Sequence, residues 1–146
     1  LGLLREWAEN YDYRTNEIQE FYSLKKVADV ENTVAAYCNE HKIRYALTGF
    51  SGAAPIEPAV RYKKAMIYAA ELEEGDFLQL SLKRVRSGGN LLLFIPYDNG
   101  VFYGSKRVEN IQIASDIQIY LDLLSFRGRG EEAAQTLFER IADKEW

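Results

Sequence analysis

The chain holds one cysteine, Cys38, and one histidine, His41. A lone thiol excludes an internal disulfide. The pair also falls short of the four Cys and His ligands that a structural zinc centre takes. Cationic excess is missing too: 18 Lys and Arg stand against 22 Asp and Glu, a net charge of −4. A domain built mainly to grip DNA is usually basic, so nucleic-acid contact here would need a local patch. No apolar run approaches the ~20 residues that span a bilayer, and no signal-peptide pattern is present. Membrane insertion is therefore not expected, and a reducing cytoplasm is the expected compartment.

Catalytic motifs are missing as well. Gly49-Phe50-Ser51-Gly52 has neither the spacing nor the lysine of a P-loop. Its small residues could still cradle a phosphate through backbone N–H groups, or simply make a tight turn. Ser51 directly precedes Gly52, which breaks the G-x-S-x-G elbow. A Mg²⁺-dependent nuclease needs an Asp and then a strand-borne Glu-x-Lys, because carboxylates supply the hard oxygens. Asp76 is available, but the later position reads Ser81-Leu82-Lys83. Gly104-Ser105 is followed by no Asp-x-Asp, so the nucleotidyltransferase pattern fails. Cys38 and His41 are close enough on a helix to pair, yet nothing electropositive is placed to lower the thiol pKa.

What is present fits one domain. The 146 residues are 47% hydrophobic and 27% charged, enough for a core without disulfide or metal. Residues 3–27 read as helical: Leu3, Leu4, Trp7 and Tyr11 share one face, and Ile18, Phe21 and Tyr22 another. Asp29 reads as an N-cap. Behind it Val30, Val34, Tyr37, Cys38 and His41 form one amphipathic stripe. Arg44–Thr48 reads as a short strand, and Ala53–Tyr62 as a short helix whose prolines sit near its start. The middle is rich in strands: Ala65–Glu71, the alternating Leu78, Leu80 and Leu82, the wholly apolar Leu91–Ile95, Val101–Tyr103, and Val108–Ala114. Turn signals fall at Ser87–Asn90 and Asp98–Gly100. Ser115 with Gln118 matches a capping box, and Ile117, Tyr120, Leu121 and Leu124 follow as a stripe. Ala134, Leu137, Phe138 and Ile141 form the last one. Helices at the ends and strands between them predict an α+β class, with a central mixed or antiparallel sheet of about five to six strands.

Basic residues cluster at three places: Lys83, Arg84 and Arg86; Lys106 and Arg107; Arg127 and Arg129. Either they converge on one surface that meets phosphates or an acidic partner, or they are separate solvated turns. The ten tyrosines suit an interface and a core equally.

Three segments together resemble a known family. Tyr45-Ala46-Leu47-Thr48-Gly49 with Gly52–Ala54 is similar to its y-x-l-x-G-x-x-A-A segment. The run Ile113–Leu123 carries Ser115, Gln118, Tyr120, Asp122 and Leu123, with Gly130, Ala133 and Ala134 beyond. Leu3-Leu4-x-x-Trp7-Ala8-x-x-Tyr11 opens the chain. These resemble the AbiEi antitoxins of bacterial type IV toxin–antitoxin, or abortive-infection, systems. The resemblance implies a transcriptional regulator in which an N-terminal winged helix-turn-helix binds promoter DNA. It implies a C-terminal effector domain that counters a nucleotidyltransferase-type toxin, by function more than by stable contact. No helix-turn-helix precedes Leu3, and Met66 is the sole methionine. The 146 residues are thus expected to be the effector domain alone. It is expected to be non-enzymatic, to need no cofactor or metal, and to work through the basic residues above. A diverged nuclease-like or nucleotide-processing domain and an oligomerisation or ligand-sensing module remain the alternatives, the last implying a homo-oligomer.

Overall fold

A computed structural model describes residues 17–55, 62–96, 98–124, 134–136 and 139. The elements run β1 (Glu17–Tyr22), α1 (Val27–His41), β2 (Tyr45–Leu47), α2 (Gly49–Ala53), β3 (Ala65–Ala69), α3 (Glu74–Gln79), β4 (Lys83–Arg84), β5 (Leu91–Ile95), a 3₁₀ turn (Asn99–Phe102), β6 (Lys106–Val108), β7 (Ile111–Ile113) and α4 (Asp116–Leu124). Among the described residues the strands form one sheet in the order β4-β1-β5-β3-β2-β7-β6. The β3–β5 and β2–β7 pairs are parallel and the others antiparallel. The α+β class with a mixed sheet holds. The sheet has seven strands rather than five to six.

The middle strand, β3, is buried along its whole length. Its side chains alternate between two faces, and helices cover both. On one face Phe21 of β1 lies in register with Leu91 of β5, and its ring packs on Phe77 of α3 with centroids 4.5 Å apart. On the other, Tyr68 of β3 meets Phe94 edge-on at 5.3 Å and reaches α4. Double coverage is why β5 is apolar throughout. It is also why Ala65, Ile67, Tyr68, Leu91, Leu93 and Phe94 are all inaccessible to water.

Several sequence expectations need correction. Ile18, Phe21 and Tyr22 belong to a strand, not a helix, because five consecutive pairings with β5 decide the backbone there. Asp29 lies inside the first turn of α1, and Lys26 occupies the N-cap. Leu78, Leu80 and Leu82 do not form a strand. Glu73 and Asp76 make a reciprocal capping box that starts α3, and Leu78 is left 78% exposed. Val101–Tyr103 is not a strand either: the Asp98 carboxylate accepts from the Gly100 N–H at 2.7 Å and starts the 3₁₀ turn. Val108–Ala114 splits into a hairpin, because Glu109 and Asn110 both take positive φ (50° and 68°). That is the twist a two-residue turn requires, here without its usual glycine. The helix found here is Gly49–Ala53, which ends where the expected helix Ala53–Tyr62 begins; Ala54, Pro55 and Tyr62 are not helical, and residues 56–61 lie outside the described residues. The opening stripe Leu3–Tyr11 also lies outside them, as do Leu137, Phe138 and Ile141 of the last. Ala134 is helical and buried.

Gly52 of α2 sets how closely α4 approaches. A Cβ there would stand 2.8 Å from Ile119 Cδ1 and 2.9 Å from the Leu47 carbonyl oxygen. The carbonyl cannot yield as a side-chain tip can. Gly52→Ala is therefore expected to destabilise the domain by about 1–3 kcal/mol through overpacking, measurable by denaturant unfolding. Gly75→Ala, which meets nothing within 4 Å, serves as the control and should cost nothing.

Candidate functional site

Three residues from the segments that carry the family resemblance, Thr48, Gln118 and Asp122, come together inside the fold. Asp122 of α4 is fully buried. Its carboxylate accepts from Thr48 Oγ1 at 2.5 Å, from the Tyr68 hydroxyl at 2.9 Å and from Gln118 Nε2 at 3.1 Å. Thr48, also fully buried, stands at the start of α2, but its side chain does not cap that helix. It spans instead to α4. Gln118 is the third residue of the Ser115 cap: its backbone N–H reaches Ser115 Oγ at 3.1 Å. Its side-chain amide also lies 3.3 Å from the Tyr68 hydroxyl. Three elements are thus tied through one carboxylate. Nearby, Gly49 takes φ +54°, and a Cβ on it would collide with Met66. Sequence reading missed Tyr68 as part of this cluster, because nothing local links it to residues in α2 or α4.

A second buried acid, Glu31 of α1, accepts from the Tyr62 hydroxyl at 2.8 Å. Burial pushes its carboxyl above the usual range, while hydrogen bonds from Ser51 and Tyr62 oppose that shift. Asp76, weighed above as a metal ligand, is structural. It accepts from the Glu73 N–H at 2.8 Å and from the Tyr37 hydroxyl. These hydrogen bonds, the one from Tyr37 foremost, hold its carboxyl below the usual range. The same contact pushes the Tyr37 phenol up to about 12. Cys38 is buried, and desolvation pushes its thiol up to about 12, whereas His41 is exposed and stacks on Tyr37 at 4.0 Å. A thiol so strongly protonated is no nucleophile. Among the described residues no group of three His, Cys, Asp or Glu could hold a metal ion.

The basic residues are not brought to one place. Lys83 and Arg84 form β4 at one edge of the sheet, and Arg86 follows them. Lys106 and Arg107 lie on β6 at the other edge. Six strand spacings separate the two edges, roughly 29 Å. Arg84 is committed to packing: it pairs with Glu74 at 3.0 Å, donates to Gln19 at 3.1 Å and lies over the rings of Phe21 and Phe77. Lys83 and Arg86 have no ion pair among the described residues. Lys106 pairs with Asp116 at 2.8 Å. Arg127 and Arg129 lie outside the described residues.

Removing the Asp122 carboxylate would take away the acceptor shared by buried Thr48 and Tyr68 and half-buried Gln118. Asp122→Ala is therefore expected to cost about 3 kcal/mol or more, and Thr48→Val about 1–3 kcal/mol, both read from denaturant midpoints. Asp76 gives the pH dependence. Its folded pKa is depressed, so its contribution is present above the unfolded value and is lost as pH falls through the folded one. Asp76→Asn should destabilise at pH 7. The gap between variant and parent should close as the pH drops below about 4, measured by thermal unfolding across pH.

Comparison with known proteins adds one positive finding. The family model described as "Transcriptional regulator, AbiEi antitoxin, Type IV TA system" matches residues 2–143. No curated protein and no solved structure matches the chain. The family match includes every residue of the buried cluster and both basic edges. With nearly its whole length covered, the chain belongs to the AbiEi family of type IV toxin–antitoxin transcriptional regulators.

Proposed function

We propose that these residues are the non-enzymatic effector domain of the antitoxin, and that it counters a nucleotidyltransferase-type toxin in the bacterial cytoplasm. The observation that carries this reading is the family match over residues 2–143. Operator binding belongs, in this reading, to a winged helix-turn-helix that stands before Leu1 in the full regulator. The non-enzymatic part draws support from where the acidic groups are spent. Asp122 and Glu31 are buried and take donors from the fold, and Asp76 caps α3. The antitoxin surface is the β4 edge, where Lys83 and Arg86 are exposed. Arg84 supports that edge through its stacking on Phe21 and Phe77.

Growth rescue tests this directly. The chain is expressed in cells that carry the adjacent-gene nucleotidyltransferase under inducible control. Rescue by the parent chain is expected. Lys83→Glu with Arg86→Glu should cut surviving colonies at least tenfold while the melting temperature stays unchanged. Full rescue by that double variant would dismiss the β4 surface. Failure of the folded, expressed parent to rescue would dismiss antitoxin activity within these 146 residues.

A further inference from the structure

The edge of the sheet away from β4 carries a cleft of about 450 Å³. It opens between the C-terminal end of α1 and the β6–β7 hairpin, above buried Cys38 and Tyr45. The hairpin is pinned there. The Asn110 carbonyl at its tip accepts from Asn39 Nδ2 at 2.7 Å, the Tyr45 hydroxyl at 3.4 Å and Arg107 at 3.5 Å. The Tyr45 hydroxyl also accepts from the Gln112 N–H at 2.9 Å. The walls are thus set before any ligand arrives, which lowers the entropic cost of binding.

Lys42, Arg44 and Arg107 line this space, and among the described residues no carboxylate does, in a chain whose net charge is −4. Arg44 pairs with Glu71 at 3.2 Å, but both side chains are more than half exposed, so that pair is weak. Lys42 and Arg107 have no ion pair among the described residues. Neutral lining groups add donors. Gln112 Nε2 donates to Ser105 Oγ at 2.7 Å, which leaves the Ser105 hydroxyl hydrogen for another acceptor. Carbonyls at the end of α1 would repel an anion, but Lys42 N–H closes on Asn39 O and Ile43 N–H on Cys38 O. Ile43 and Phe102 supply apolar wall.

We propose that this cleft binds a small phosphate monoester. Its phosphate dianion meets Arg107, Lys42 and the Ser105 hydroxyl. Arg107 is suited to two phosphate oxygens at once. The volume exceeds what a lone phosphate fills and falls in the range of small-molecule pockets, so the organic body rests on Ile43 and Phe102. The site lies on the far edge from β4 and does not rest on the antitoxin surface proposed above.

Titration of the ¹⁵N-labelled chain with AMP and with UMP, at 0.15 M salt, tests the assignment. Saturable amide shifts at Arg44, Tyr45, Arg107 and Gln112 are expected, with no response to adenosine. Arg107→Gln and Lys42→Gln, each with an unchanged spectrum away from the cleft, should weaken binding at least tenfold. Absence of saturable shifts with both nucleotides, shifts elsewhere on the chain, or full affinity in both variants would overturn the assignment. Inorganic phosphate binding as tightly as AMP would give the cleft to the free ion and overturn the ester.

Discussion

One buried carboxylate holds this fold in register. Asp122 is cut off from water, and a charge in that position is tolerable only when donors surround it. Thr48, Tyr68 and Gln118 supply them. Because those donors come from the β2–α2 junction, the central strand and α4 itself, the carboxylate can be satisfied in one arrangement of the three elements. Hydrophobic packing alone would let α4 slide on the sheet. A polar cluster inside an apolar layer makes each slipped arrangement costly, since it would leave several groups unpaired at once. Gly52 completes the constraint by letting the two helices close to contact.

The family motif and this cluster are largely the same residues. Thr48 from the first segment meets Asp122 from the second, which also takes the Gln118 amide. Within the described residues, part of the family resemblance is thus an internal brace. Basic side chains stand at both edges of the described sheet, where charge guards against strand addition. β4 is two residues long and β6 three, and every residue in both is exposed. Lys83, Arg84, Lys106 and Arg107 protect the edges from aggregation whatever else they do. Arg84 shows the double use, since its guanidinium lies over two core rings.

The two edges differ in character. At β4 the basic groups project from a short strand and a turn, a form suited to a broad partner. At β6 the hairpin folds against the end of α1 and encloses a space, a form suited to a small anion. That difference follows from the Glu109-Asn110 turn, whose positive φ angles bring the Asn110 carbonyl to the donors of α1 and β2.

Local spacing in the sequence was enough for elements whose pattern is their own. Of the stripe Val30, Val34, Tyr37, Cys38 and His41, Val30, Val34 and Cys38 are buried in α1, Tyr37 is half-buried and His41 is exposed. Wholly apolar Leu91–Ile95 is a strand covered on both faces, Asp98–Gly100 is a turn, and Ser115 caps α4. The family was legible too, because its segments are contiguous. Tertiary structure decided the rest. Residues 17–22 show helical spacing but pair with β5, and Leu78–Leu82 alternates like a strand yet follows a helix cap. Asp122 and Thr48 lie 74 residues apart, and the basic clusters at Lys83–Arg84 and Lys106–Arg107 part to opposite edges. Periodicity reports only what a residue's near neighbours allow; strand pairing, burial of a charge and the walls of a cleft depend on which distant segments meet.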